Sequence, residues 1–375
     1  MRKNTYLCGY YGMNNTGDDA LMLATAWGAQ QHLGAQHFIL NSPQTLKMPG
    51  FPALPAQLNS NQRFRGENRF RQYACALRSR RVIFGGGSVL HNSHDIGIKR
   101  HLIRLSGKKS ALALGVGLGP FRDTGAEKVC AKFLHECQFV GVRDQHSFDI
   151  AQAIAPTANV KITFDLAPLI TQHPLYSPAH TKRRNIAICL CPHERLSGNW
   201  AAEKKRLNEL AQTIIDVHQH TGRHVTLLDF NGHPSLGDNR VHQELQQLVP
   251  GNIINNHIGY NTNPLDVLTL LSQFELVLAM RLHAAVFAFL ANTPILSLNY
   301  HSKCVGWCEQ IKLAQSMQVD SGNIHAANLT PIIINGLNDG FVQPERPIKD
   351  AVEAAMKNWR YVDDKNKAYR CNPAL

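Results

Sequence analysis

The sequence predicts an α/β protein built of two Rossmann-like domains facing a central cleft. Short apolar runs rich in β-branched residues alternate with helical stretches, the pattern of parallel sheets covered by helices on both faces. That alternation occurs twice, over residues 5–170 and again over 185–300. Between the two runs, Thr171-Gln172-His173-Pro174-Leu175-Tyr176-Ser177-Pro178 interrupts it with two prolines and polar residues, and reads as a linker. At 375 residues the chain is long for one core, so two domains are the natural expectation.

In the first half, strands are expected at residues 5–9, 37–40, 81–84, 111–115 and 139–142. In the second they fall at 186–191, 225–229, 253–255, 276–278 and 295–298. The domains run over 1–175 and 183–345. In the remaining 346–375, residues 347–369 read as one helix through Val352, Ala355, Met356 and Trp359, placed to cross back onto the first domain.

With 44% hydrophobic and 18% charged residues the chain is a folded protein and not a disordered one. No apolar run reaches the length of about 18 residues that a spanning helix requires. The apolar pattern after Met1-Arg2-Lys3-Asn4 stops at Gly9, too short for a signal-peptide core. The expectation is a cytoplasmic protein with peripheral contact to the inner membrane surface. Its nine cysteines lack paired C-x-x-C spacing, and Cys189 and Cys191 alternate along an apolar strand. They read as core residues, so neither a metal nor a cofactor is expected. A net charge of +12 suits a phosphorylated substrate or acidic headgroups. Apart from Arg78-Ser79-Arg80-Arg81 and Lys182-Arg183-Arg184 the basic residues are dispersed, and no nucleic-acid module accompanies them.

In such sheets ligands sit beyond the carboxyl ends of the strands, and the motifs gather there. Gly9-Tyr10-Tyr11-Gly12-Met13-Asn14-Asn15-Thr16-Gly17-Asp18-Asp19 joins a strand to a helix that begins near Asp18. Its glycines allow close approach of a ligand, and free amides at a helix start attract anions. The aspartates either cap the helix or, for Asp18, orient a sugar hydroxyl or take up its proton. Gly85-Gly86-Gly87 and Gly115-Val116-Gly117-Leu118-Gly119 repeat the device as loops at two further strand ends, for ligand approach or for tight packing. In Val142-Arg143-Asp144, Asp144 is the helix cap, while Arg143 projects toward the cleft or pairs with an aspartate. The densest signal is Met280-Arg281-Leu282-His283 at another strand end. It sets a fixed positive charge beside a group that titrates near neutrality, a costly choice for packing alone. Tyr300-His301-Ser302-Lys303 closes the next strand, and Lys303 is either a phosphate ligand or an ordinary surface lysine.

On these residues the chain resembles the polysaccharide pyruvyl transferase family. The matching pieces run in the family's order from the Gly9 turn through Gly85-Gly86-Gly87, Gly117-Leu118-Gly119-Pro120, Val142-Arg143-Asp144 and Asp165 to Arg281-Leu282-His283 and Tyr300 with Lys303. They span roughly residues 5–310. Three positions depart from the family's pattern: Asp19 where glutamate is common, Leu114 where glutamine often stands, and His91 after a loop that often carries an acid.

The resemblance implies a GT-B-like arrangement holding phosphoenolpyruvate, with a saccharide or polyprenyl-linked oligosaccharide of a bacterial surface polysaccharide as acceptor. It implies donor binding or acid catalysis by Arg143, Arg281 and His283, and roles in activity for Lys303 and Asp18. Leu282, Gly86, Gly87 and Asn15 join them as substrate-binding positions. Two other readings compete. One is a glycosyltransferase of the same architecture using a nucleotide sugar, from which fold alone does not separate it. The other is a non-catalytic component of polysaccharide assembly, which predicts no donor binding.

Overall fold

The computed structural model describes residues 3–107, 110–179 and 182–371. The chain divides into two units. The first holds Met1–Met13, Asp18–Leu175 and Lys349–Leu375, and the second Asn14–Gly17 and Tyr176–Ile348.

The first unit is built on β1 (Asn4–Cys8), α1 (Thr16–Leu33), β2 (His37–Leu40), α2 (Glu67–Leu77), β3 (Ser79–Leu90), α3 (Ser93–Ser106), β4 (Leu112–Leu118), α4 (Ala126–Glu136), β5 (Phe139–Val142), α5 (Gln145–Ile154) and β6 (Val160–Ile162). All its strands pair in parallel, in the order β2-β1-β3-β4-β5-β6. Tyr6, Phe84, Phe133 and Val140 are buried in its core. Polar side chains start the helices: Asn92 accepts from the Asp95 amide to start α3, and Asp144, as the sequence indicates, accepts from Ser147 at 2.7 Å to start α5.

The second unit follows with β7 (Ile186–Cys189), α6 (His193–Leu196), α7 (Trp200–Thr221), β8 (Val225–Leu228), α8 (Asn239–Leu248), β9 (Ile254–Ile258), α9 (Pro264–Leu271), β10 (Leu276–Ala279), α10 (Leu282–Leu290), β11 (Ile295–Asn299), α11 (Ser302–Ile311), β12 (Gln318–Asp320) and α12 (Ala326–Asp339). Its parallel sheet runs β12-β11-β10-β7-β8-β9. The last helix, α13 (Ile348–Cys371), packs in the first unit. There Asn358 is fully buried: it accepts from the Gly115 amide at 2.9 Å and donates to the Phe164 carbonyl at 3.1 Å. The Trp359 ring packs against Gly28, where an added Cβ would come within 2.2 Å of it.

The strand order of each sheet reverses once, between β1 and β3 in the first and between β7 and β10 in the second. Such switch points open a crevice outside the strand ends.

The glycine runs correct the sequence reading. Gly85-Gly86-Gly87 is not a loop after a strand ending at Phe84, because β3 continues to Leu90. Gly85 pairs with Leu114 and Gly87 with Val116, and the register shifts before Leu90. Gly86 and Gly87 hold φ of 77° and 79°, which non-glycine residues rarely adopt, and a Cβ at Gly86 would meet Leu21 at 2.8 Å. Gly117 likewise lies inside β4, which runs on past its expected end at Gly115. Two strands escaped the sequence, β6 and β12, since three residues show no period.

Candidate functional site

In the second unit, β10 delivers Arg281 and His283 at its carboxyl end, beside the switch point with β7. Arg281 occupies the cap position of α10, with Leu282 and His283 in the first turn. The Arg281 side chain is held by Asp238. Its Nε donates to Asp238 Oδ1 at 2.9 Å, and Nη2 donates to the same oxygen. The other oxygen, Oδ2, accepts from the amides of Phe230 at 3.0 Å and Asn231 at 2.9 Å. Burial works against the Arg281 charge, but the Asp238 carboxylate outweighs it, and the guanidinium pKa stands above its ordinary value.

Asp238 thereby also fixes the backbone that receives residues 14–17. Thr16 donates to the Phe230 carbonyl at 2.9 Å, Gly232 donates to that of Asn14 at 2.8 Å, and Asn15 and Asn231 form an antiparallel bridge. The Asn15 side chain accepts from the Gly17 amide at 3.0 Å, so Asn15, and not Asp19, supplies the start of α1. Asp18 and Asp19 lie in its first turn, where negative charge suits the helix dipole. Gly17 rests directly against His283: a Cβ there would fall 2.1 Å from the imidazole Nδ1. The specific first motif and the Arg-Leu-His motif are thus partly one structure.

Lys303 sits in the first turn of α11, its amide bonded to Nδ1 of the capping His301 at 3.2 Å. Next to it, the Tyr300 ring packs 4.8 Å from that of His193, which follows β7. Burial pushes the Cys191 thiol up to about 12 and the Cys304 thiol up to about 11, so both stay neutral around this end of the sheet.

A second cluster lies at the end of β8. Asp229 Oδ1 is 2.6 Å from His242 Nδ1 and 2.8 Å from His257 Nε2. These three atoms are close enough together to share a cation. However, His242 Nε2 accepts from the Leu190 amide at 2.9 Å, so Nδ1 carries the hydrogen and donates to Asp229. A metal on Nδ1 would turn Nε2 into a donor facing another donor, and the histidine does not fit that role. Burial alone would raise the Asp229 pKa; the hydrogen bonds from His242 and His257 outweigh burial and hold the carboxyl below the usual range.

In the first unit, Arg143 follows β5 with its Nε 3.3 Å from Asp144 and its Nη1 3.9 Å from Asp165. It leans over Gly117, where an added Cβ would lie 3.0 Å from Nη2. A cavity of about 240 Å³ opens beside Gly9, Tyr10 and Met13, with Asn41, Asp95 and Lys99 on its walls. Asp18, Gly86, Gly87 and Arg143 belong to the first unit, while Asn15, Arg281, Leu282, His283 and Lys303 belong to the second. Sequence reasoning missed Asp238, Asp229, His242 and His257. Asp229 at a strand end was the available signal, whereas Asp238 sits in an unremarked loop and acts only through the fold.

A family model described as polysaccharide pyruvyl transferase matches residues 15–302. Among solved structures, the chain is similar to a putative UDP-N-acetylglucosamine 2-epimerase from Listeria monocytogenes (TM-score 0.68, 11% identity, 98% of this chain and 97% of that one). It is also similar to UDP-GlcNAc 2-epimerase from Methanocaldococcus jannaschii (0.59, 11%, 94% and 98%). A third is sucrose-phosphate synthase from Thermosynechococcus elongatus (0.56, 13%, 100% and 100%). At such identities these likenesses establish two Rossmann-like domains of GT-B type, and no activity.

Proposed function

Since the chain belongs to the polysaccharide pyruvyl transferase family, we propose that this transferase moves the pyruvyl group of phosphoenolpyruvate onto a sugar as a cyclic ketal. The acceptor is a saccharide of a bacterial surface polysaccharide or its polyprenyl-linked precursor. The observation that carries the reading is the Arg281-Leu282-His283 turn, braced by Asp238 and covered by Gly17 at the switch point of the second sheet.

The donor bears a carboxylate and a phosphate and calls for at least two cations; Arg281 and Lys303, both in the second unit, fill that need. Asp238 occupies Nε and Nη2 of Arg281, which leaves Nη1 for the donor and fixes the plane of the fork. His283, as imidazolium, delivers a proton to the methylene carbon. The neighbouring carbon becomes cationic and is attacked by a sugar hydroxyl, whose proton passes to Asp18. Loss of phosphate regenerates a cation, and a second hydroxyl of the same sugar closes the ketal, releasing its own proton. Leu282 and Asn15, in the same unit as His283, shape the substrate contacts, whereas Gly86 and Gly87 are buried inside β3 and serve its packing. The scheme needs no cofactor.

The test is incubation of the full chain with phosphoenolpyruvate and candidate saccharides, following phosphate release and acid-labile pyruvate on the product. His283→Ala is expected to slow release by about 10²–10⁴-fold with modest loss of donor binding. Normal turnover in that variant removes His283 from the mechanism. Transfer from a nucleotide sugar, with phosphoenolpyruvate inert, overturns the donor assignment.

A further inference from the structure

Helix α2 packs inward through Cys75 and Ala76, yet its outer side is not polar. Phe70 is 67% exposed and Leu77 47%. Seven residues apart, they share one helix face, with the exposed Ala74 between them. Phe64, in the preceding loop, is 53% exposed, and its ring lies 6.1 Å from that of Phe70. Exposed Arg63, Arg65, Arg69 and Arg78 surround this stripe. Seven arginines stand against a single acid between positions 60 and 81. That acid, Glu67, is buried and turned inward: it accepts from the Arg63 amide at 2.6 Å, from Arg71 Nε at 2.9 Å and from Asn59 at 3.3 Å. The loop that presents Phe64 is therefore tied down, and between positions 60 and 81 no carboxylate is exposed beside the arginines.

What covers such a face must be anionic and must accept aliphatic as well as aromatic side chains. A second copy of this chain would bring arginines against arginines. Nucleic acid offers phosphates, but it takes aromatic faces for stacking and gains nothing from Leu77 and Ala74. An anionic lipid surface satisfies both requirements, with apolar groups entering the acyl boundary and arginines meeting headgroup phosphates. We propose that the Phe64–Phe70–Leu77 stripe and its arginine rim form a peripheral anchor to an anionic bilayer. The anchor stands on this surface alone; it deepens the proposed reaction only by bringing the enzyme to a lipid-linked acceptor.

The test is sedimentation of the full chain with vesicles of mixed phosphatidylglycerol and phosphatidylcholine, against phosphatidylcholine alone, over a salt series. Binding is expected to the anionic vesicles, weakening as salt rises. Phe64→Ser with Phe70→Ser is expected to lower partitioning by roughly tenfold or more. Arg65→Gln with Arg69→Gln is expected to cost about fivefold for each charge and to flatten the salt dependence. Equal binding to both vesicle types, or wild-type partitioning by the double phenylalanine variant, overturns the anchor. So does capture by single-stranded RNA with no vesicle binding. Both pairs lie on the surface, and circular dichroism checks that they fold. Because the readout is partitioning, a chain that binds vesicles yet releases no phosphate from phosphoenolpyruvate sinks the proposed reaction and leaves the anchor intact.

Discussion

Replacing Asp238 by asparagine tests the brace behind Arg281. The carboxylate feeds two pairs of donors, the Arg281 guanidinium on Oδ1 and the Phe230 and Asn231 amides on Oδ2. Asparagine offers one oxygen, so one pair loses its acceptor inside a fully buried pocket. Hydrogen bonds to a charged partner contribute about 1.5–3 kcal/mol each. Two of them give about 3–6 kcal/mol, which overlaps the range of about 3–5 kcal/mol for breaking a buried ion pair. At roughly tenfold per 1.4 kcal/mol, opening of this region becomes more than about 10²-fold more frequent. Hydrogen exchange read by mass spectrometry over residues 225–232 and 276–285 isolates the second unit, which bulk fluorescence does not, because tryptophans lie in both units. An acceleration below about fivefold would refute the claim that Asp238 is what organises this turn.

Gly17→Ala forces the His283 ring aside, given the 2.1 Å approach of the new methyl group. Phosphate release is expected to drop roughly 10²-fold, with about 1–3 kcal/mol of stability lost to the crowding, and an unchanged rate would make the ring's position irrelevant. Asp229 has a depressed pKa in the folded state, so its contribution is complete above about pH 4 and is lost as the pH falls through the folded value. Urea midpoints measured from about pH 5 down to about pH 2 should therefore fall more steeply in the native chain than in Asp229→Asn; parallel curves would contradict the assignment. Asn358→Leu strands the buried Gly115 amide at a cost of about 1–3 kcal/mol, expected as faster exchange at Gly115 with the second unit unaffected.

Fold class was legible because burial on both faces of a parallel strand writes near-continuous apolar runs, as in Ile186-Ala187-Ile188-Cys189. The ends were less so. Gly85 through Gly87 read as loop on composition, although ladder pairing with β4 and a bulge carry the strand through them. Arg281 and His283 stood out because charge at the end of a buried strand is conspicuous. Their support did not, since Asp238 lies 43 positions from Arg281 in the chain, and Gly17 meets His283 only through tertiary packing. Local sequence carries no record of such pairings.

The placement of α13 has a consequence for biosynthesis. The ribosome delivers every strand of the first sheet before residue 175, but the helix that saturates the Gly115 amide and covers Gly28 is made only after the strands of the second sheet. Until α13 emerges, that earlier half carries an open seam over Gly28 and an unanswered amide at Gly115, while every strand of the later half has already been made. A nascent chain stalled near residue 345 would therefore expose its older portion to chaperones and proteases, and the younger portion would be the first to resist them.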